Sequence, residues 1–240
     1  MLLFYVRHGD PTYNPDELTP LGRRQAEAIG RRLARFGVDK IFSSTSTRAM
    51  QTADPLCEIM KMEKTTMEFC HESLAYHEVK VKHNETEWRW VCDEPTLRPL
   101  LASAEVAALG KQWYEHPALA EYRDRFKQCM DRVGEGMDKF IAELGYEHVP
   151  GENIYRVTRH NDDRVALFAH AGVGRVIISH MLDIPYPQFA LRSDMSHTGM
   201  TVIEFRDEGG WCLPRLLTYS ADGHLYHDGM PTAYNNHLRF

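Results

Sequence analysis

Residues 2–69 alternate short apolar runs with amphipathic segments, in the order run, helix, run, helix, run. The runs are residues 2–6 (LLFYV), 39–44 (DKIFSS) and 65–69 (TTMEF). Strands separated by helices pair in parallel, and their helices must cover the sheet faces. The expected class is therefore α/β with a mainly parallel sheet. The first helical segment, residues 19–37, carries a full set of end signals. Thr19 suits the N-cap, Pro20 the first helical position and Gly37 the stop. Gly22, Ala26, Ile29, Leu33 and Phe36 recur at helical spacing and form its expected inward face. Arg23, Arg24, Arg31, Arg32 and Arg35 lie mostly off that face and read as solvated surface. In the second segment, residues 45–60, Ala49, Met50, Ala53 and Leu56 point inward, and Pro55 is a site for a kink.

The rhythm breaks over residues 73–150. Trp88, Trp90 and Trp113 fall there, with Pro95, Pro99 and Pro117. A long helix is expected over residues 121–144, with Tyr122, Phe126, Met130, Val133, Met137 and Phe140 or Ile141 on one face. This stretch reads as a helical insert or lid within one domain spanning residues 1–240. The alternation then resumes. NIYRVT and RVALFA read as strands joined through Asn161-Asp162-Asp163, GVGRVIISHML as a helix, and MTVIEF and LPRLLTY as late strands. The tail MPTAYNNHLRF has little periodicity and receives no assignment.

Charge and cysteine usage exclude several classes. The net charge of −6 lacks the basic excess of nucleic-acid binders. No apolar stretch approaches a membrane span, and MLLFYV is too short for a secretion signal. The five cysteines, Cys57, Cys70, Cys92, Cys129 and Cys212, are widely spaced without a CxxC pair. Reduced thiols and a cytoplasmic location follow as expectations.

Several polar residues share one context. Arg7-His8 follows LLFYV, Ser43-Ser44 through Arg48 follows KIF, Glu72 follows TMEF, and His170 follows VALFA. In a parallel sheet such points open on the carboxyl edge, where ligands bind. Arg7, His8, Arg48, Glu72 and His170 should therefore converge. Two guanidiniums suit a phosphate or carboxylate, an imidazole can act as nucleophile, and a carboxyl group can protonate a leaving oxygen. A catalytic metal fits poorly, because the arginines repel a cation and no HExxH is present. Cys70-His71 beside Glu72 and His77 lacks a fourth ligand at fixed spacing. No GxSxG elbow supports serine chemistry.

With these residues in place, the chain resembles the histidine phosphatases, relatives of the cofactor-dependent phosphoglycerate mutases. RHGDPTYN matches the family's RHGExxWN, with Asp10 for Glu and Tyr13 for Trp. LTPLGRRQA, FSSTSTRAMQTA and FAHAGVGR match three further motifs in order. The resemblance implies a three-layer α/β/α sandwich and no cofactor. It makes His8 the nucleophile that carries a phosphohistidine, with Arg7, Arg48 and His170 on the phosphoryl oxygens. Asn14 matches a phosphate or substrate contact, and Glu72 the general acid and base. Glu68, Glu78, Glu85 and Glu87 stand near enough to Glu72 to compete for that role. His197, where relatives often carry Asn, is either a phosphate contact or a plain turn residue.

The implied activity is metal-independent hydrolysis of a small phosphate ester. A mutase is the alternative, because Lys80, Lys82, His83 and Arg89 are available for a second anion subsite. From another class, a non-catalytic phospho-ligand binder on the same fold stays open. Trp88, Trp90, Trp113 and Tyr76 are either core or pocket lining.

Overall fold

The computed structural model describes residues 1–234. From β1 (Leu2–Arg7) the chain passes through a small hairpin, β2 (Pro11–Tyr13) and β3 (Asp16–Leu18), into α1 (Pro20–Phe36). Then follow β4 (Lys40–Ser44), α2 (Thr47–Met60), β5 (Lys64–Met67), a 3₁₀ turn (Glu68–Cys70) and α3 (Glu72–Val79). A second hairpin, β6 (Lys80–Lys82) and β7 (Trp88–Trp90), precedes the short helices α4 (Arg98–Leu101) and α5 (Ala104–Ala108). The long helix α6 (Arg123–Glu143) leads to β8 (Tyr146–His148), β9 (Tyr155–Val157), β10 (Arg164–Ala169) and α7 (Ala171–Met181). The chain continues through α8 (Tyr186–Ala190), β11 (Met200–Glu204), β12 (Trp211–Cys212), β13 (Arg215–Ala221) and α9 (Gly223–His227).

The central sheet has the order β13-β11-β1-β10-β4-β5. β1, β10, β4 and β5 are parallel neighbours, β11 runs antiparallel to β1, and β13 antiparallel to β11. Alternation along the strands splits the core in two. Leu3, Tyr5, Val165, Leu167 and Ala169 face α3, α6 and α7 through Val79, Phe140, Ile141 and Ile177. Phe4, Val6, Ala166 and Phe168 face α1 and α2 through Ile29, Leu33, Ala53 and Leu56. Both faces of the central strands are buried, which is why their sequences read as continuous apolar runs. The three-layer α/β/α expectation holds.

Local signals explain most boundaries. Thr19 Oγ1 accepts from Gly22 N at 3.1 Å, Pro20 opens α1, and Gly37 closes it with φ of 74°. α2 continues through Pro55, whose ring lies so near α1 that a Cβ on Gly30 would stand 3.1 Å from it. Two expected inward residues differ: Met50 is half-buried, and Phe36 is 45% exposed while stacking on Phe4. The run TTMEF is strand only to Met67, since Glu68 and Phe69 belong to the 3₁₀ turn.

NIYRVT is a strand over Tyr155–Val157, outside the central sheet. Its strand, β9, pairs with β8 and β12 in a separate three-stranded sheet and not with β10. β10 is already paired by β1 on one side and β4 on the other, so it offers β9 no edge. The expected long helix is α6, with Phe126, Val133, Met137, Phe140 and Ile141 buried and Met130 half-buried. Among the described residues no helix is long and apolar enough to cross a membrane. All five cysteines are free thiols. Residues 235–240 of the unassigned tail lie outside the described residues.

Candidate active site

β1, β10 and β4 reach one edge of the sheet together, with Val6, Phe168 and Ser43 side by side. The next residues of each strand therefore share one location. His8 N donates to Ala169 O at 2.9 Å, tying the first strand end to the second. Arg48 stands in the first turn of α2 and Glu72 is the first residue of α3. A cavity of about 210 Å³ opens here. Arg7, His8, Arg48 and Glu72 line it together with Tyr13, Trp90, Asp93, Ala171, Gly172 and Arg175.

His8 is 3% exposed, and its Nδ1 lies 2.7 Å from Gly9 O. A carbonyl only accepts, so Nδ1 carries the proton and Nε2 holds the lone pair. Burial, then His170, Arg7 and Arg48, push the imidazole well below its ordinary pKa. The ring is neutral at pH 7. Glu72 is placed by α7. Its Oε1 accepts from Gly172 N at 3.1 Å and its Oε2 from Val173 N at 2.8 Å, two helix-start donors that lack intrahelical partners. Burial raises the Glu72 carboxyl above its ordinary value, against the lowering pull of those two N–H groups, Arg48 and Arg175.

The arginines are held on one side each. Arg7 donates through Nη1 to Met195 O and through Nη2 to His197 Nε2, the latter at 3.0 Å. Arg48 donates through Nη1 to Asp16 Oδ1 at 2.5 Å and through Nη2 to His170 Nδ1 at 3.2 Å. His170 thus keeps its proton on Nε2, 2.9 Å from Ser44 Oγ. Burial and then Arg48 push its pKa well down. Its ring meets that of His8 edge-on, with centroids 5.1 Å apart. The Nε of Arg7, Arg48 and Arg175 are buried without a hydrogen-bond partner among the described residues. Three arginines along one cavity give it a positive field that suits an anion.

The histidine phosphatase superfamily (branch 1) model matches residues 3–216. The chain belongs to this family. The mitochondrial serine/threonine-protein phosphatase Pgam5 of Caenorhabditis elegans is 26% identical over 215 residues, covering 86% of this chain and 59% of that protein. The Drosophila persimilis Pgam5 is 36% identical over 75 residues, 28% of this chain and 26% of that protein. The chain thus spans less than two thirds of the length of these curated relatives. Among solved structures, a mutant phosphoserine phosphatase of Entamoeba histolytica in complex with phosphoserine superposes with a TM-score of 0.59 at 17% identity, covering 93% of this chain and 98% of that one. A mycobacterial glucosyl-3-phosphoglycerate phosphatase gives a TM-score of 0.57 at 21% identity, covering 92% and 98%.

In this member of the family the structure brings Arg7, His8, Arg48, Glu72 and His170 together, with His170 fully buried instead of lining the cavity. Glu72 is the carboxylate of the nearby glutamates that lines it. Glu78 pairs with Arg132, Glu87 with Arg89, and Glu68 accepts from Thr45. His197 lies beside the site, its ring 5.9 Å from His8, and burial with Arg7 drives its pKa to about 3. Asn14 is not brought in: it is exposed at the tip of the β2–β3 hairpin and does not line the cavity. A short hairpin turns its tip residue outward, while its flanking Tyr13 and Asp16 reach the site.

Gly9 makes room for protein backbone, since a Cβ there would lie 2.6 Å from Gly22 O of α1. Asp10 serves the same helix: its Oδ2 accepts from Thr19 Oγ1 at 2.6 Å, steadying the N-cap. Trp90 lines the cavity, Tyr76 leans on it at 5.5 Å between ring centroids, Trp113 is core and Trp88 is 38% exposed. Asp16, Asp93 and Arg175 received no role from sequence. Arg175 closes the motif FAHAGVGR and carried a usable signal; Asp93, 82 residues away from it, carried none.

Proposed function

We propose that the protein is a phosphomonoester hydrolase that acts through a phosphohistidine on His8, without a metal ion, on a small phosphorylated metabolite. One observation carries this reading: His8 is neutral, its Nδ1 proton is committed to Gly9 O, and its ring stands in a cavity lined by Arg7, Arg48 and Glu72. Nε2 attacks phosphorus, and the bond to the ester oxygen breaks. Glu72 gives its proton to that oxygen and becomes a carboxylate. The carboxylate then takes a proton from water as the water attacks the phosphohistidine. The N–P bond breaks, Nε2 regains its lone pair and phosphate departs. Arg7 and Arg48 meet the charge on the phosphoryl oxygens, where a lost donor slows the reaction about 100–1,000-fold.

Hydrolysis is favoured over phosphoryl transfer to a second site. Among the cations available for another anion subsite, Arg89 pairs with Glu87, His83 with Glu94, and Lys80 stands over Tyr76 and Trp88. None of them lines the cavity. The leaving group instead meets Trp90 and the Asp93–Arg175 pair, joined by two contacts of 3.1 Å. The test is phosphate release, in EDTA, from an aryl phosphate, phosphoserine, glucosyl-3-phosphoglycerate and a phosphoserine peptide, with acid-labile phosphate on His8 sought after rapid quenching. His8→Ala should abolish both signals. Turnover retained in that variant, or isomerisation of 3-phosphoglycerate with its bisphosphate and no release of phosphate, overturns the proposal. The free thiols support a reducing compartment such as the cytoplasm, although the curated relatives are named mitochondrial.

A further inference from the structure

Far from the cavity, three potential ligands meet that come from three elements. Asp138 is on α6, His148 on β8 and His180 in the last turn of α7, and their donor atoms all lie within 4.8 Å of one another. Asp138 Oδ1 is 2.8 Å from His180 Nε2 and 3.1 Å from His148 Nδ1. The two rings stand perpendicular, with centroids 5.3 Å apart, so their nitrogens aim at one small volume from different directions.

The surroundings fit a ligand cluster. The second nitrogen of His148, Nε2, faces the Asp183 carboxylate at 3.5 Å. A metal-bound histidine commonly turns its free N–H to a carboxylate, which fixes the ring and makes the ligating nitrogen more basic. Tyr155 stacks on the His148 ring at 4.6 Å and 12°. Gly134 leaves space for His180, since a Cβ there would lie 2.9 Å from its Cε1. A cavity of about 280 Å³, lined by Asp138 and His180 with Asp131 and Glu135, gives water and cations access.

We infer that Asp138, His148 and His180 form a second, non-catalytic site for a divalent transition-metal ion of the zinc type, clamping α6, β8 and α7 together. Two imidazole nitrogens and one carboxylate oxygen are a zinc donor set, and a water completes a tetrahedron. Calcium and magnesium are poorer occupants, because they prefer all-oxygen shells. On binding, His148 Nδ1 and His180 Nε2 give up the protons they share with Asp138 and donate lone pairs, while His148 keeps its Nε2 proton toward Asp183. α7 runs from His170 at the active site to His180, about 15 Å at 1.5 Å per residue, so the clamp holds the far end of the helix that positions Glu72.

Untagged full-length protein, stripped with EDTA, is titrated with Zn²⁺ and Co²⁺ by calorimetry, spectroscopy and thermal unfolding. The expected result is one tight equivalent, an intense tetrahedral Co²⁺ band, and a Tm raised by roughly 5–10 °C at a hundredfold excess over Kd. His148→Gln and His180→Gln should each lose these signals, whereas His8→Ala should keep them, separating this cluster from the active-site imidazoles. Absence of saturable binding to the wild type, or binding that survives both cluster variants, overturns the proposal and leaves an ordinary ion-paired cluster. If a variant fails to fold, ring resonances of wild-type His148 and His180 decide: rings left unperturbed by Zn²⁺ also overturn it.

Discussion

The hydrogen bond from His8 Nδ1 to Gly9 O leaves one nitrogen free and thereby decides what the residue can do. Its depressed pKa keeps that lone pair available well below the ordinary imidazole value of 6.5, so the acid limb of kcat/KM should fall well below pH 6.5. Glu72 is displaced the other way, so it holds a proton to higher pH than an ordinary glutamate, as a donor to a leaving oxygen must. Glu72→Gln should slow phosphoryl transfer from an alkyl phosphate by about 100–10,000-fold. An aryl phosphate departs without help, so the variant should still release a first-turnover burst of nitrophenol and stall at hydrolysis. Equal loss of burst and steady state would remove Glu72 from the donor role. Sequence showed this set because Arg7, His8, Arg48 and His170 all stand at or just beyond strand ends, where local pattern reports position. It did not show Asp16 or Asp93, whose roles come from Arg48 and Arg175 across 32 and 82 residues.

At the scale of elements, α7 organises the site. Its first free N–H groups fix Glu72, and Gly172 makes the close packing of Trp90 possible. A Cβ on Gly172 would lie 2.1 Å from Trp90 Cζ2, inside the indole ring's own space. Gly172→Ala should therefore destabilise the protein by about 1–3 kcal/mol, the usual penalty of overpacking, and displace the cavity wall. In a Trp90→Ala background the same Gly172→Ala substitution should cost little further stability in urea unfolding. Two penalties that simply add would mean the ring is not the obstacle. Helices and central strands were legible because caps, spacing and apolar runs are local properties. Strand pairing was not: which edge β9 can meet depends on β1 and β4, far off in sequence, which take both edges of β10.

For the whole molecule, the site imposes a sign on stability against pH. His8, His170 and His197 are buried together beside Arg7, and all three have lowered pKa values, that of His197 about 3. His224, beside Arg32, adds a fourth at about 4. Above pH 6.5 these imidazoles are neutral in both folded and unfolded chains and contribute no slope. As pH falls below 6.5 the unfolded chain takes up protons that the native state refuses, so stability is lost. Each such proton is worth about 1.4 kcal/mol per pH unit, and four give roughly 5 kcal/mol per unit, on a typical total of 5–15. Carboxylates with lowered values, such as Glu94, act below their ordinary 4.5, so pH 6.5 to 5 isolates the histidines. Glu72 opposes with one proton, because its raised value makes the native state the better binder there. Urea midpoints should be highest near pH 6.5, dropping steeply toward pH 5 and gently toward pH 9, because the native state alone keeps a proton on His148, raised to about 9 by Asp138 and Asp183. His197→Asn should remove about one third of the net slope below pH 6.5 while leaving the profile above it unchanged. A wild-type profile flat to pH 5 would mean that these imidazoles take up protons in the folded protein, and with that the neutral His8 on which the proposed chemistry depends would be lost.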